Sequence, residues 1–318
     1  MHIPDNFLST PVWATLDAIA LPAVAIVSRK AQQATDTNRL PLLGVMGAFV
    51  FAAQMINFPV GIGTSGHLVG GTLLACILGP WAAALVVTSI LLIQALVFQD
   101  GGILALGANI MNMALLGVVA GYLPAKWLGR GKWKSYGLFV GGFCSVMMSG
   151  LLALAELTLS DIRMPPVLLE ASLGLFAINA IVEGAITVSV VRAIDRLRSD
   201  GPQLAVGPSA APMTSRAAWK NVLLAMAIAA VFLASAGVLV ASALPDGLEH
   251  VAKALGVPFG AHPFLHSPLR DYQIRALGNS WLSRATAGLV GLILIYVVCA
   301  LGGHLLGRSR RSYSLVSK

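Results

Sequence analysis

Long apolar segments, separated by short polar loops, repeat along this 318-residue chain. A helix needs about 20 apolar residues to cross a bilayer, and its backbone groups must be paired within the segment. Only 11% of the residues are charged, against about 25% in soluble domains. The sequence therefore predicts an all-α polytopic membrane protein. Clear candidate spans are 12–28, 40–57, 80–98, 103–123, 136–157, 167–191, 218–243 and 284–306.

A ninth apolar run, 67–79, is short for a crossing and ends before Gly79-Pro80. Lys and Arg favour cytoplasmic loops. If 67–79 crosses the membrane and the N-terminus is outside, most of the 21 Lys and Arg residues fall in inner loops. We therefore predict nine transmembrane helices in the cell membrane, with an exterior N-terminus and a cytoplasmic C-terminus. The same placement of the charges argues against a nucleic-acid partner, although the net charge is +8.

A Pro-, Gly- and Ala-rich stretch, 199–217, predicts a cytoplasmic linker. It separates a seven-helix membrane module, 1–198, from a module of two helices and an exterior loop, 218–318. The three cysteines lie far apart in apolar runs and lack the spacing of metal ligands, so we interpret them as packing residues. They are Cys76, Cys144 and Cys299.

The opening residues, MHIPDNFLST, contain neither a basic region nor a small-residue cleavage site. A cleaved signal peptide is therefore not indicated, and we expect Met1 and His2 to remain in the mature protein. The terminal amine, the deprotonated amide of residue 2 and Nδ1 of His2 can chelate one ion through a five- and a six-membered ring. Such a planar nitrogen set suits Ni(II) or Cu(II), and Co(II) can also use it. The alternative is a surface histidine at a disordered terminus.

A second imidazole would complete the plane, and His67 in GIGTSGHLVGG is the candidate. The predicted topology places His67 on the same side as His2, and an ionisable residue at a membrane mouth is a functional candidate. The surrounding glycines would admit the N-terminal segment between helices. Small-residue helix packing beside an incidental histidine is the alternative.

Polar side chains also interrupt the third informative stretch, 94–117. Such groups are costly in a membrane unless they have partners. We interpret them as residues that orient His67 or the N-terminal segment rather than as ligands. Hydrogen bonds between helices are an equally good explanation for each one. The candidates are Gln94, Asp100, Asn109 and Asn112.

Three stretches, in this order, resemble the CbiM/NikM family, the substrate-binding (S) subunits of energy-coupling factor transporters for cobalt and nickel. They are MHIPDNFLS at the start, AFVFAAQMINFPVGIGTSGHLVGG at 48–71 and QALVFQDGGILALGANIMNMA at 94–114. The resemblance implies that Ni²⁺ or Co²⁺ is the transported substrate, that no cofactor is bound permanently, and that Met1, His2 and His67 hold the metal. The family usually has Gly where this chain has Asn6, but Asn tolerates left-handed backbone well.

The second module resembles the PDGLE domain, the accessory (N-type) component of these systems, through LPDGLEHVAKALG and HSPLRDYQIRALG. The resemblance implies a role in metal loading or in activity of the complex. Three histidines lie in its exterior loop: His250, His262 and His266. They are either solvated or involved in metal delivery.

The resemblance also implies partners: a transmembrane T subunit and two ABC-type ATPases, in a membrane lipid environment. The stretch GRGKWKS lacks the pattern of a phosphate-binding loop, so we expect a transporter subunit rather than an enzyme. Small residues spaced by four predict the helix contact with the T subunit, namely Ala14, Ala18, Gly44 and Ala48. Two other functions stay open: a secondary metal permease with Asp100 or Glu183 as proton carrier, and a membrane assembly factor.

Overall fold

The computed structural model describes residues 1–34, 39–61, 64–198, 216–242, 244–256, 267–278 and 280–316. Within these ranges the regular secondary structure is helical, apart from one small β-hairpin. The prediction of an all-α polytopic membrane protein is confirmed. Most of the predicted linker, and both His262 and His266, lie outside the described residues.

Helices α1 and α2 are followed by the hairpin, whose antiparallel strands pair Phe58 with Gly66. Helix α4 continues as a π-helical segment, and a second π-helical segment joins α5 to α6. The bounds are α1 Thr10–Ala34, α2 Leu40–Gln54, β1 Phe58–Gly61, β2 Thr64–Gly66, α3 Gly71–Leu78, α4 Pro80–Ile93, the first π segment Gln94–Phe98, α5 Leu106–Asn109, the second π segment Ile110–Leu116 and α6 Gly117–Leu128.

The remaining helices include two long ones in the first module, α7 and α8, and three in the second. Short 3₁₀ turns occur at Gly131–Trp133, Gly237–Leu239, Arg270–Tyr272 and Arg275–Leu277. The bounds are α7 Lys134–Leu159, α8 Pro166–Leu197, α9 Arg216–Ser235, α10 Gly247–Ala254 and α11 Trp281–Val316.

Seven helices in the described part of the chain are long and apolar enough to cross a membrane. They correspond to seven of the predicted runs. Helix α2 has 15 residues and α3 has 8, both shorter than the roughly 20 that a crossing requires. The expected count of nine is therefore reached only if these two short helices are included. Gly70 and Gly79 have φ angles of +77° and +87°, and they limit α3 at its two ends.

Residues 67–100 leave one end of the helix bundle and return to the same end. The loop before α3 contains His67 and the loop after α4 contains Asp100, and both residues contact the N-terminal segment. Helix α3 itself is fully buried and packs on α4, α6 and α7. This agrees with the expectation that His67 lies on the same side of the protein as His2.

The two modules pack directly against each other, because α2 lies against both α9 and α11. A Cβ added at Gly44 would come within 2.6 Å of the Tyr296 ring on α11. The prediction that Gly44 and Ala48 face a T subunit is therefore wrong for Gly44, whose small size serves a contact within the chain, and Ala48 is buried as well. Ala14 and Ala18 on α1 are at least partly exposed.

Candidate metal centre

The N-terminal segment is inserted into the protein and does not extend into solvent. The side chains of Met1, His2, Ile3, Phe7 and Leu8 are all buried. Because a free chain end loses much conformational entropy when it is ordered, specific contacts must hold it. The Phe7-Leu8 pair supplies apolar contact with the core.

Asn109 at the end of α5 holds the backbone of Ile3 by two hydrogen bonds. The Ile3 N–H donates to Oδ1 of Asn109 at 2.8 Å, and Nδ2 of Asn109 donates to the Ile3 carbonyl at 3.1 Å. The same carbonyl accepts from the Gly102 N–H at 2.8 Å. The backbone of Ile3 is thus hydrogen-bonded on both its N–H and its carbonyl, as in a β-sheet. The Asn109 side chain takes the place of a neighbouring strand's backbone.

A tight turn follows, and it leads the chain into α1. Oδ1 of Asp5 accepts a hydrogen bond from the Leu104 N–H at 2.8 Å. Asn6 has a φ of +66°, the left-handed region that the sequence predicted Asn to tolerate here. The replacement of the family's usual Gly by Asn6 is therefore compatible with the turn.

The terminal amine of Met1 lies 2.8 Å from Nε2 of His67. The amine also forms a short ion pair with Asp246, the residue that caps α10 in the second module. Asp246 is brought there by a β-bridge between residues 65 and 246 and by bonds from Thr64 and Ser65 to the Pro245 carbonyl. Both modules therefore contribute to the surroundings of the amine.

The His2 ring stacks on the His67 ring, with centroids 5.1 Å apart and planes inclined by 10°. Nδ1 of His2 lies 3.1 Å from Oδ1 of Asp100. Nε2 of His2 is buried and has no hydrogen-bonding partner among the described residues. The predicted chelate uses Nδ1, so the ring would have to turn away from Asp100 to form it.

Electrostatics at this site favour a neutral imidazole beside ionised carboxylates. Burial, and then the positive terminal amine, lower the pKa of His67 well below its ordinary value. Burial alone would raise the pKa of Asp100 and Asp246. The nearby charge of His2 and of the terminal amine, respectively, together with hydrogen bonds to each carboxylate, outweigh burial and lower both pKa values. A neutral imidazole is the form that ligates a metal, and two nearby carboxylates attract a cation.

No three His, Cys, Asp or Glu side chains within the described ranges lie close enough together to hold a metal ion. A metal at this position would therefore need backbone nitrogens. The residues present fit that requirement: the amine of Met1, the amide and Nδ1 of His2, and Nε2 of His67. The two imidazoles and the amine are already in contact with each other.

A chain of buried hydrogen bonds leads from the His67 loop towards His2. Nδ1 of His67 bonds to the Leu68 carbonyl at 2.9 Å. The next carbonyl, of Val69, accepts from Nε2 of Gln54 at 2.8 Å, and Oε1 of Gln54 accepts from Nε2 of Gln94 at 2.9 Å. The position of the His67 loop is thus linked to the first π-helical segment.

From Gln94 the chain continues through the second module. Nε2 of Gln94 donates to the hydroxyl of Tyr272 at 3.3 Å, and that hydroxyl donates to Oδ2 of Asp100 at 2.6 Å. Oδ1 of Asp100 then reaches His2. The two imidazoles are therefore linked through the backbone of the His67 loop and then through the side chains of Gln54, Gln94, Tyr272 and Asp100.

The structure places Asp100 beside His2 and Asn109 beside Ile3, whereas Gln94 bonds to Gln54 and Tyr272. The predicted role of the three in orienting ligands stays a prediction. Asn112 is not brought beside the N-terminal segment or the histidines, because its amide donates to Glu156 at 2.8 Å. The second π-helical segment changes the helical repeat directly after Asn109 and directs Asn112 towards α7. His250 is half-buried on α10 and does not line the cavity beside His2 and His67.

A cavity of about 440 Å³ opens onto His2 and His67. Residues of both modules line it, among them Asp100, Asp246 and Tyr272. A cation could reach the two imidazoles through this space. The cavity wall carries both signs of charge: carboxylates such as Asp100, Asp246 and Glu249, and the cations Arg270 and Arg284.

Sequence reasoning missed several residues of this site. Gln54 and Asn179 are polar residues inside apolar runs, a signal that could have identified them. The sequence indicated Glu183 only as a candidate proton carrier and not as a residue near His67. Asp246 stands in the PDG turn and Tyr272 in the exterior loop, where nothing local indicates a contact with the N-terminus. Asn179 donates to the His67 carbonyl at 3.2 Å and lies 3.6 Å from Sδ of Met1.

These features define a class: a multi-pass membrane protein whose N-terminus is buried beside two stacked imidazoles. Residues 2–201 match the family model described as the cobalt uptake substrate-specific transmembrane region. Residues 220–308 match the PDGLE domain. The chain belongs to the CbiM family and carries a PDGLE domain.

Relatives with curated names are transport proteins. The chain is 35% identical over 305 residues to a putative fused nickel transport protein, NikMN, of Archaeoglobus fulgidus, which covers 93% of this chain and 95% of that protein. It is 45% identical over 166 residues to a probable fused nickel transport protein, LarMN, of Lactiplantibacillus plantarum. That alignment covers 51% of this chain and spans only 50% of the LarMN length.

Solved structures agree with this assignment. A crystal structure described as a transition metal transporter matches with a TM-score of 0.55 and 32% sequence identity, covering 63% of this chain and 95% of the other. A truncated transition metal transporter matches with a TM-score of 0.54 and 34% identity, covering 61% and 98%.

Proposed function

We propose that this chain captures Ni²⁺ or Co²⁺ at the outer face of the cell membrane, as the substrate-binding subunit of an ATP-driven energy-coupling factor transporter. The observation that carries the proposal is the 2.8 Å separation between the Met1 amine and Nε2 of His67. These atoms belong to residues 66 positions apart, and both are buried.

This separation suits two neighbouring ligands of one metal ion. Metal–nitrogen bonds are about 2.0 Å long, so two nitrogens at right angles around an ion lie about 2.8 Å apart. In the metal-free protein the same distance is that of a hydrogen bond between amine and imidazole. Binding would replace this bond by two metal–nitrogen bonds and would release the protons of the amine and the His2 amide.

The donor set favours nickel. With the His2 ring turned away from Asp100, four nitrogens, from the amine, the His2 amide, the His2 imidazole and the His67 imidazole, would form a plane. A planar nitrogen field suits Ni(II) better than Co(II). Relatives of this chain are named as nickel or as cobalt transport proteins. We expect both ions to bind and nickel to bind more tightly.

Metal binding to the purified full chain tests the site. The comparison uses protein with its native Met1 amine, protein with added residues before Met1, and His67→Ala. Both changes are expected to remove tight nickel binding in a competition assay with a chelator. His250→Ala is the matched control, because it removes a histidine outside the site, and it should bind nickel normally. Tight binding by the extended protein or by His67→Ala would overturn the proposed site.

Transport measurements test whether this chain depends on the proposed partner subunits. The proposed T subunit and two ATPases would supply the energy. The half-buried Ala14 and the exposed Ala18 of α1 offer a surface for close helix contact. Proteoliposomes containing all subunits should accumulate nickel only with ATP. Accumulation by this chain alone under an ion gradient would instead support a secondary permease.

A further inference from the structure

The four-residue loop 67–70, between β2 and α3, carries His67 and is buried throughout. Its last residue, Gly70, has a φ of +77°, and a Cβ there would collide with Val50. The loop has little contact with water, so its backbone groups need partners inside the protein. The identity of those partners decides how the His67 ring is held.

Glu183 on α8 supplies the main partner. One carboxylate oxygen accepts the Val69 N–H at 2.7 Å and the other accepts the Gly70 N–H at 2.8 Å. The side chain is 1% exposed. A buried carboxylate is costly unless it is fully hydrogen-bonded, and here both oxygens are occupied by a loop 113 or more residues away in sequence.

The bond to Val69 reaches His67 through a single planar peptide unit, the one that joins Leu68 to Val69. Its N–H donates to Glu183, and its carbonyl accepts from Nδ1 of His67 at 2.9 Å. Because a peptide unit is rigid and planar, fixing its N–H end also fixes the direction of its carbonyl. That carbonyl in turn keeps the proton on Nδ1 and leaves Nε2 free to face the Met1 amine.

The next peptide unit is held in the same way. Its N–H, on Gly70, donates to Glu183, and its carbonyl, on Val69, accepts from Gln54. One turn earlier on α8, Asn179 donates to the His67 carbonyl at 3.2 Å. Positions four apart share one face of a helix, so α8 presents Asn179 and Glu183 together to the loop.

We infer that Glu183 is a positioning residue for metal binding: through the Leu68–Val69 peptide it sets the tautomer and direction of the His67 imidazole. The inference rests on the proposed function. It also gives Glu183 a different role from the proton carrier considered for a permease, because both of its oxygens are engaged by backbone N–H groups.

The decisive variant is Glu183→Gln, which keeps the size but replaces one acceptor oxygen by an NH₂ group. That group faces an N–H donor and cannot accept from it. Nickel affinity is expected to fall about 10- to 100-fold, the usual effect of losing a group that orients a ligand. The matched control is Glu156→Gln on α7, another buried glutamate, which bonds to Asn112 and not to the His67 loop.

A second measurement needs no metal. Nitrogen NMR of the full chain labelled at histidine distinguishes an imidazole protonated at Nδ1 from one protonated at Nε2. The wild-type and Glu156→Gln proteins should show His67 protonated at Nδ1, and Glu183→Gln should show a mixture. A general loss of stability would not change the tautomer, so this readout separates positioning from folding.

The outcomes are distinct. Wild-type nickel affinity in Glu183→Gln, or an unchanged His67 tautomer, would overturn the inference while leaving the metal site intact. Tight nickel binding by His67→Ala would overturn the proposed function instead. If Glu183→Gln does not yield a monodisperse protein, Glu183→Asp, with its shorter reach and retained charge, should show the same weaker affinity and mixed tautomer. An unchanged result there would count equally against the inference.

Discussion

The Met1 amine and Nε2 of His67 lie 2.8 Å apart, although the two residues are separated by 66 positions. The N-terminus therefore completes a site whose other parts come from the loop before α3 and from the second module. Anything that prevents the first residues from inserting should abolish metal binding without changing the helix bundle.

Gly102→Ala should prevent this insertion. An added Cβ would lie 2.5 Å from the Asp5 nitrogen and 2.7 Å from the Pro4 carbonyl carbon, both backbone atoms that cannot move away cheaply. We expect nickel affinity to fall at least about 100-fold, since the chelating residues would be displaced, and the terminal amine to become reactive towards an amine-labelling reagent. Gly174→Ala, whose Cβ would meet nothing within 4 Å among the described residues, is the control. Normal affinity and a protected amine in Gly102→Ala would contradict the prediction.

Asn109→Ala should weaken metal binding more than Asn112→Ala does. Removing Asn109 leaves the Ile3 N–H without its partner, at about 1–3 kcal/mol for a buried polar group. Because the N-terminal segment is then held less well, affinity should fall about 10- to 100-fold. Asn112 bonds to Glu156 instead, so its loss should lower the melting temperature but leave the affinity of folded protein unchanged. Titration with nickel and thermal unfolding, measured on both variants, would show an opposite pattern if Asn112 oriented the ligands.

Asn6→Val should destabilise the turn after the proposed metal ligands, whereas Asn6→Gly should bind nickel normally. Asn6 has a φ of +66°, and a β-branched residue is strained there, typically by about 1–3 kcal/mol. Thermal unfolding and nickel competition on the two variants check this. Equal behaviour of the Val and Gly variants would show that the left-handed turn is not retained in solution.

Tyr272→Phe should lower stability by about 1 kcal/mol, because Asp100 loses a part-buried donor and Gln94 loses a partner. The ring itself would still stack on Phe98. Tyr136→Phe is the control, since Tyr136 is exposed. The measurement is thermal unfolding of the metal-free protein. Identical melting temperatures for the two variants would mean that the hydrogen-bond chain between the modules contributes nothing.

Seven membrane helices were predictable because hydropathy is a local property of about 20 consecutive residues. The short helix α3 was less predictable from hydropathy. Its two ends depend on the positive φ angles of Gly70 and Gly79, which hydropathy does not report. Met1, His2 and His67 were predicted from the chelating chemistry of a Met-His terminus and from motif resemblance. The structure places them in contact, and their role as ligands stays a proposal.

Asn109 and Asn112 show where sequence reasoning ends. Both are amides in one apolar run, three positions apart, yet one holds the N-terminal segment and the other binds Glu156. A π-helical segment, whose local twist depends on packing against neighbouring helices, separates their directions. The sequence alone therefore could not distinguish them.

By itself the sequence determined the membrane-spanning helices, the chelating potential of Met1 and His2, and the presence of a second imidazole at His67, because each depends on nearby residues. Tertiary structure decided which distant groups meet them. Glu183, Tyr272 and Asp246 reach the site only because α8 and the second module pack beside the 67–70 loop. Contacts between residues more than 100 positions apart are set by how helices pack, and no local pattern encodes that packing.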